Sequence, residues 1–205
     1  MFGKGTARAS IESISFDATG YSLQESSDAV RLWYTPEGDE FSVHFFAERP
    51  DLPPRLEDLR SHHEAQLRAS SGAVVEVSPI HVDECPAIKT VVKLPQQQSG
   101  FTYVASITIP FHDFSFVLKV ICGESGVTGL REGVLLAKHM AGGGMPEVAD
   151  GRVQVPGFDP DNKRFDADFS VHPLSRARRT MGHVSATARV DAALKKAPAF
   201  ARTSS

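Results

Sequence analysis

Phe101-Thr102-Tyr103-Val104-Ala105-Ser106-Ile107-Thr108-Ile109-Pro110-Phe111-His112-Asp113-Phe114-Ser115-Phe116-Val117-Leu118-Lys119-Val120-Ile121-Cys122 is the stretch on which the fold turns. Phe101, Tyr103, Ala105, Ile107 and Ile109 oppose Thr102, Ser106 and Thr108, and further on Phe114, Phe116, Leu118, Val120 and Cys122 oppose Ser115 and Lys119. A period of two marks a strand with one buried face, and β-branched and aromatic side chains suit that pleated surface. The link Pro110-Phe111-His112-Asp113 is far shorter than the roughly dozen residues of a parallel crossover, so the two strands are antiparallel neighbours. Upstream, Ile88, Thr90, Val92 and Leu94 alternate with Lys89 and Lys93, and Gln96-Gln97-Gln98-Ser99-Gly100 joins them to Phe101. The sheet therefore reads as a meander. Earlier still, Val30–Tyr34 and the alternation of Phe41, Val43 and Phe45 with Ser42 and His44 flank the turn Thr35-Pro36-Glu37-Gly38-Asp39.

Three helices accompany these strands. Leu52, Leu56, Leu59, His63 and Leu67 fall on one stripe at about 100° per residue, with Asp51 as the expected cap and Pro53 and Pro54 in the first turn. A second helix follows Gly123–Gly129, buries Leu130, Val134 and Ala137, and ends before Gly142-Gly143-Gly144, which cannot sustain it. Pro173 opens the third, where Leu174, Ala177, Met181, Val184 and Ala188 form an apolar stripe and Arg176, Arg179 and His183 line up about 120° away. The expected division is a flexible amino end over 1–10, an α+β domain over 11–141, a linker with an irregular acidic segment over 142–172, a basic amphipathic helix over 173–195, and a disordered tail over 196–205.

The chain has 205 residues and a formal net charge of -3, enough for one domain and too balanced for a polyanionic or polycationic protein. Its two cysteines, Cys85 and Cys122, build no disulfide framework and fit a reducing compartment. The start, Met1 to Arg8, lacks the apolar stretch of a secretory signal. The longest aliphatic run, Val134 to Ala137, falls far short of the roughly 20 residues that cross a bilayer. A cytoplasmic location without membrane insertion is expected. The charge is unevenly spread: residues 1–174 carry a net of -9 and residues 175–205 a net of +6. Such asymmetry suits a tail that meets an acidic partner, or a helix that sits on its own acidic body.

The order of strands, helix, three-strand meander and helix over roughly residues 10–141, carried by Val30–Phe46 and 88–122, resembles the PsbP/DcrB-like fold. That group includes the Ran-binding Mog proteins, the PsbP subunits of photosystems and the Eag chaperones of type VI secretion effectors. The resemblance implies an α+β fold, an antiparallel meander covered by helices, to which this chain adds its carboxyl-terminal amphipathic helix. It also implies a non-enzymatic module that binds another protein through the sheet face or a groove beside it, with no shared catalytic set to carry over. The stretch Phe165–Arg179 resembles a recurring tail of bacterial proteins without assigned function and lends no mechanism.

Reactive motifs are sought and found incomplete. Gly123-Glu124-Ser125-Gly126-Val127 approaches the G-x-S-x-G elbow, but its second glycine is displaced by one position and the preceding strand ends an antiparallel meander. The same loop places Ser125, Gly126, Thr128 and Gly129 at a helix start, where backbone N–H groups can hold an anion; it matches neither the P-loop nor G-x-G-x-x-G. Thr128 as a simple N-cap accounts for the residues as well. His63-Glu64 begins like H-E-x-x-H but has leucine at the second ligand position, and His63 lies on the leucine stripe. His81, Cys85 and Cys122 lack a fourth ligand for zinc, and Asp159, Asp161, Asp166 and Asp168 fail the EF-hand pattern at Lys163 and Arg164. No catalytic residue, metal ligand set or cofactor is therefore assigned. The leading expectation is a protein partner, with Arg176, Arg178, Arg179 and His183 as an electrostatic rim. The alternative is a small-molecule or phosphate-handling enzyme centred on Gly123–Gly129. Nucleic acid is not expected, since about six net charges with no aromatic residue over 174–195 make a poor platform.

Overall fold

The computed structural model describes residues 9–149 and 152–200. In chain order the elements are β1 (Ile14–Ser15), β2 (Ser22–Ser26), β3 (Val30–Tyr34), β4 (Glu40–Phe46), α1 (Asp58–Leu67), β5 (Ala73–Val82), β6 (Cys85–Pro95), β7 (Phe101–Pro110), β8 (Ser115–Gly123), α2 (Leu130–Ala141), β9 (Glu147–Ala149), β10 (Arg152–Gln154), α3 (Pro173–Thr187) and β11 (Arg189–Val190). Seven strands form one sheet in the order β2-β3-β4-β8-β7-β6-β5, and every pairing in it is antiparallel. The sheet is thus two meanders sewn together by β4 against β8. The α+β class expected from the sequence is the one observed.

Register decides the core. Val43 faces Leu118 and Leu118 faces Ile107 across the three central strands, so Phe41, Tyr103, Ala105, Ile109, Phe116, Val120 and Cys122 share their face and all are buried. Helix α3 lies on this face, with Leu174, Ala177, Met181 and Val184 buried and Ala188 just past its end buried too. Burying side chains such as Leu174, Met181 and Val184 is worth roughly 1.5–3 kcal/mol each, which fixes α3 to its own sheet. The short β1–β11 ladder closes one margin.

The opposite face is treated differently. Helix α1 covers only its β5–β6 side, where Leu59 is buried and His63 Nε2 lies 3.4 Å from Thr90 Oγ1. Across β3, β4, β8 and β7 the outward side chains Leu32, His44, Val117, Lys119, Ile121, Val104 and Ser106 are half-buried, Ser42 and Ser115 are buried, and Tyr34 and Phe46 are exposed.

Several expectations are corrected. Strands β2 and β5 were not read from the sequence. Both are sheet edges with a bulge, at Leu23/Glu25 and Val74/Glu76, and the extra residue breaks the alternation a reader counts. Helix α1 begins at Asp58 instead of after Asp51. Helix α2 buries Arg131 and Leu135, while Leu130 and Ala137 are exposed and Val134 is half-buried. The third helix ends at Thr187, because Ala188 turns extended to enter β11. Residues 195–200 run against the β7–β8 turn, where His112 N–H donates to Pro198 O at 3.0 Å. Residues 1–8 and 201–205, part of the expected flexible ends, lie outside the described residues.

Candidate functional site

The end of β8, the start of α2 and the start of α3 converge on a cleft of about 650 Å³. Val127, Leu130 and Val171 form an exposed apolar rim, and Glu124, His172 and Arg176 lie deeper in it. Glu124 is the first residue after β8, and its carboxylate is gripped by backbone. Phe101 N–H donates to Oε2 at 2.8 Å and Gly129 N–H donates to Oε1 at 3.1 Å. Gly129 is the N-cap of α2 with φ +71°, a left-handed conformation that suits glycine. The anion held by this helix start is therefore the chain's own Glu124, and acids here complement the positive ends of two helix dipoles.

His172 caps α3. Leu174 N–H donates to its Nδ1 at 3.3 Å, so the neutral ring carries its proton on Nε2. That nitrogen faces Glu124 Oε1 at 3.5 Å and Glu132 Oε1 at 4.0 Å, with no hydrogen-bond partner within reach. Burial, more than anything else, lowers the pKa of His172, against the pull of Glu132 and Glu124. Tyr103, fully buried on β7, donates its O–H to Glu132 Oε1 at 3.3 Å, and burial raises its pKa strongly, with Asp161, Glu132 and Glu124 adding to the effect. Glu132 Oε2 and Asp161 Oδ1 are buried without partners.

Arg131 stands behind this cluster, 0% exposed. Its Nε donates to Pro160 O at 2.8 Å, and its terminal nitrogens reach Asn162 O and Ser175 Oγ at 3.0 Å and Asp166 Oδ1 at 3.1 Å. It ties α2 to the 160–166 segment and to α3. The polar side chains do gather, contrary to the scattered picture the sequence suggests. Tyr103, Glu124, Arg131, Glu132, Asp161 and His172 come from five separate segments, and no local motif announces them. An i, i+4 pattern through Arg131 and Leu135 was available, but an arginine on an apolar stripe is passed over in favour of Leu130 and Val134.

The residues singled out beforehand are placed as follows. Ser125 lines the cleft; both His172 nitrogens point elsewhere, so the ring cannot activate it. Thr128 does not cap α2: its hydroxyl donates to Ser99 Oγ at 3.0 Å. Gly126 has φ +71° and open space beside it. Arg176 Nε and Nη2 grip Asp39 at 2.8 Å, which raises the arginine's pKa. Arg178 bonds Asp166, Glu76 and Asp161 O, Arg179 bonds Glu37 and Ser170 O, and His183 bonds Asp17 O. The basic row expected to meet a partner is engaged by the body of the same chain. His81 and Cys85 sit at the β5–β6 turn while Cys122 faces Tyr103 at the other end of the central strands, so those three never converge.

No family model matches the chain, and no curated protein matches it. Among solved structures, the Ran-binding protein Mog1p of Saccharomyces cerevisiae aligns over 89% of this chain and 93% of its own, at 10% identity and a TM-score of 0.50. The likeness is one of fold. A protein of unknown function from Pseudomonas aeruginosa aligns over 63% of this chain and 99% of its own, at 11% identity and a TM-score of 0.37. A protein from Bacteroides thetaiotaomicron aligns over 58% of this chain, at 11% identity and a TM-score of 0.37, and this chain spans only 41% of its length. Among the described residues no helix is long and apolar enough to cross a membrane.

Proposed function

We propose that the chain is a non-enzymatic protein-binding module whose docking surface is the open face of the sheet over β3, β4, β8 and β7. The observation that carries this reading is the asymmetry of cover: α3 seals one face, while on the other α1 packs on the β5–β6 side and, with residues 50–52, flanks Thr108 and Val117 without covering the sheet beyond them. With strands about 4.8 Å apart, the open part is on the order of 20 Å square. That is roughly half of the 800 Å² one partner buries in a standard interface, so the contact extends over the rim toward Phe46 and α1. Its mixture of Val104, Val117 and Ile121 with Ser106, Thr108 and Lys119 has the composition of a surface that binds and releases, since such interfaces are about as apolar as ordinary surface. Mog1p, which shares the fold, is described as Ran-binding, and this supports a protein as the class of partner.

The test places a photo-crosslinking residue at Val104 or Lys119 and, as control, at Ser185 on the helical side. The captured protein is then purified and titrated against wild type and Val104→Arg. Capture from the open face alone, with binding lost in Val104→Arg and unfolding unchanged, is the expected result. Equal capture from both sides, or full affinity in Val104→Arg, would overturn the reading. A second reading, a small-molecule or phosphate-handling enzyme at Gly123–Gly129, has the cleft beside Ser125 in its favour and the occupied Gly129 amide against it. Perturbation of the Ser125–Gly129 amides by inorganic phosphate would favour it over the first.

A further inference from the structure

We propose that Glu124, Glu132 and His172 form a binding site for one divalent metal ion of the zinc class. Their ligand atoms, one from each side chain, all lie within 4.8 Å of one another. His172 Nε2 stands 3.5 Å from Glu124 Oε1 and 4.0 Å from Glu132 Oε1. Ligands about 2.1 Å from a tetrahedral zinc ion sit roughly 3.4 Å apart, so His172 and Glu124 already stand at that spacing and Glu132 closes on the ion by a side-chain shift on the order of 1 Å.

Proximity alone would leave a buried acid pair beside a histidine. The second observation is the orphaned nitrogen: the His172 side chain is 8% exposed, and Nε2 has no hydrogen-bond partner although it is aimed between two carboxylates. Glu132 Oε2 is likewise buried and unpartnered. A buried polar group without a partner is costly, and a cation at Nε2 answers the imidazole's vacancy while bringing positive charge to the Glu132 carboxylate. The charges agree. Arg131 is taken by Asp166 at 3.1 Å and Lys93 by Asp161 at 2.5 Å, while among the described residues the ion-pair partner of Glu124 and Glu132 is the imidazole.

One imidazole with two carboxylates is a donor set suited to zinc, whereas calcium and magnesium prefer oxygen alone. Supporting groups are in place: the Phe101 and Gly129 amides hold Glu124, and the Tyr103 hydroxyl holds Glu132. Glu124 and His172 line the 650 Å³ cleft, which supplies an entry path and leaves room for a fourth ligand. Loading has a specific structural consequence. The imidazole proton must move from Nε2 to Nδ1, so Leu174 N–H loses the acceptor that caps α3.

The test uses the full chain, stripped with a chelator and titrated with ZnCl₂ by calorimetry and by ¹⁵N NMR. One ion per chain is expected, with shifts at the Leu174 amide and at the His172 ring nitrogens. Glu132→Gln keeps an acceptor for Tyr103, and His172→Asn keeps a cap for Leu174, so both variants retain the fold while losing a ligand. Each should weaken zinc binding by about tenfold to a hundredfold or more, while His62→Ala and His112→Ala leave it unchanged. The proposal is overturned if wild type takes up no zinc, if the two ligand variants bind as wild type does, or if the His62 and His112 variants abolish uptake.

Discussion

Arg131→Met removes the guanidinium that joins α2, the 160–166 segment and α3. The side chain is 0% exposed and donates to Pro160 O, Asn162 O, Ser175 Oγ and Asp166. Methionine refills most of the volume but leaves the Pro160 carbonyl without its donor, at about 1–3 kcal/mol, while Asn162 O keeps the Phe165 N–H at 3.1 Å. Asp166 retains Arg178 at 3.0 Å, which spares the variant a fully uncompensated carboxylate. The expected loss is therefore roughly 3–5 kcal/mol, the range for removing one member of a buried pair. For a domain of this size that is a fall in Tm of roughly 6–20 °C. Urea unfolding followed by circular dichroism measures it, with Arg131→Lys as the comparison. Lysine keeps the charge but cannot span acceptors on three elements at once, so its loss should be intermediate. A loss below about 1 kcal/mol for Arg131→Met, the scale of an ordinary surface change, would refute the argument that this one side chain pins the segment behind the cleft.

Two further perturbations bear on the same region. His172 is buried neutral, its pKa held below the ordinary 6.5, so as pH falls the unfolded chain takes up the proton first. Stability that is intact above pH 6.5 should decline below it, with a slope of at most about 1.4 kcal/mol per pH unit from this group. Urea titrations at about pH 7.5 and pH 5.5 should show a smaller decline in His172→Asn, and equal declines would mean the ring titrates alike in both states. Gly100→Ala and Gly38→Ala separate backbone strain from collision. Both glycines have φ near +82°, but a Cβ at Gly100 meets Glu124 Oε2 at 2.5 Å while one at Gly38 meets nothing within 4 Å. Gly38→Ala should cost about 1 kcal/mol and Gly100→Ala about 2–3 kcal/mol; equal losses would show that the Glu124 clamp yields freely.

The parts of the fold that were legible are those where one physical signal acts alone. Phe101–Cys122 alternates cleanly because β7 and β8 are central strands with one face sealed by α3, so side-chain chemistry and strand period coincide. The α3 stripe was equally plain, since Leu174, Ala177, Met181 and Val184 meet nothing but core. Where two demands share an element the signal fails. Helix α2 must present Arg131 to Asp166 and Leu135 to the interior, so its buried stripe mixes a cation with an apolar residue. Strand β5 has to guard a free edge, which it does with a bulge, Pro79, and two carbonyls capped by Arg60. The candidate site was illegible for a further reason. Glu132 and His172 lie forty residues apart in sequence, and only the docking of α3 brings them together.

That docking also bears on the charge arithmetic, which allowed either an acidic partner or the chain's own acidic body. A segment carrying net +6 tethered to a body carrying net -9 meets its own acids at an effective concentration no free partner matches. Arg176 with Asp39, Arg178 with Glu76 and Asp166, Arg179 with Glu37 and Lys195 with Asp83 consume most of the positive charge inside the molecule. The exposed pair Arg179–Glu37 contributes little to stability by itself, but together with the more buried pairs it decides where charge is left over. It is left over at Glu124 and Glu132, which among the described residues form no ion pair with lysine or arginine, Arg131 beside them being committed to Asp166, and which share a single imidazole. The metal site proposed above coincides with that remaining negative charge. The proposed docking face, lined by valine, isoleucine and serine around Lys119, offers a partner shape more than charge.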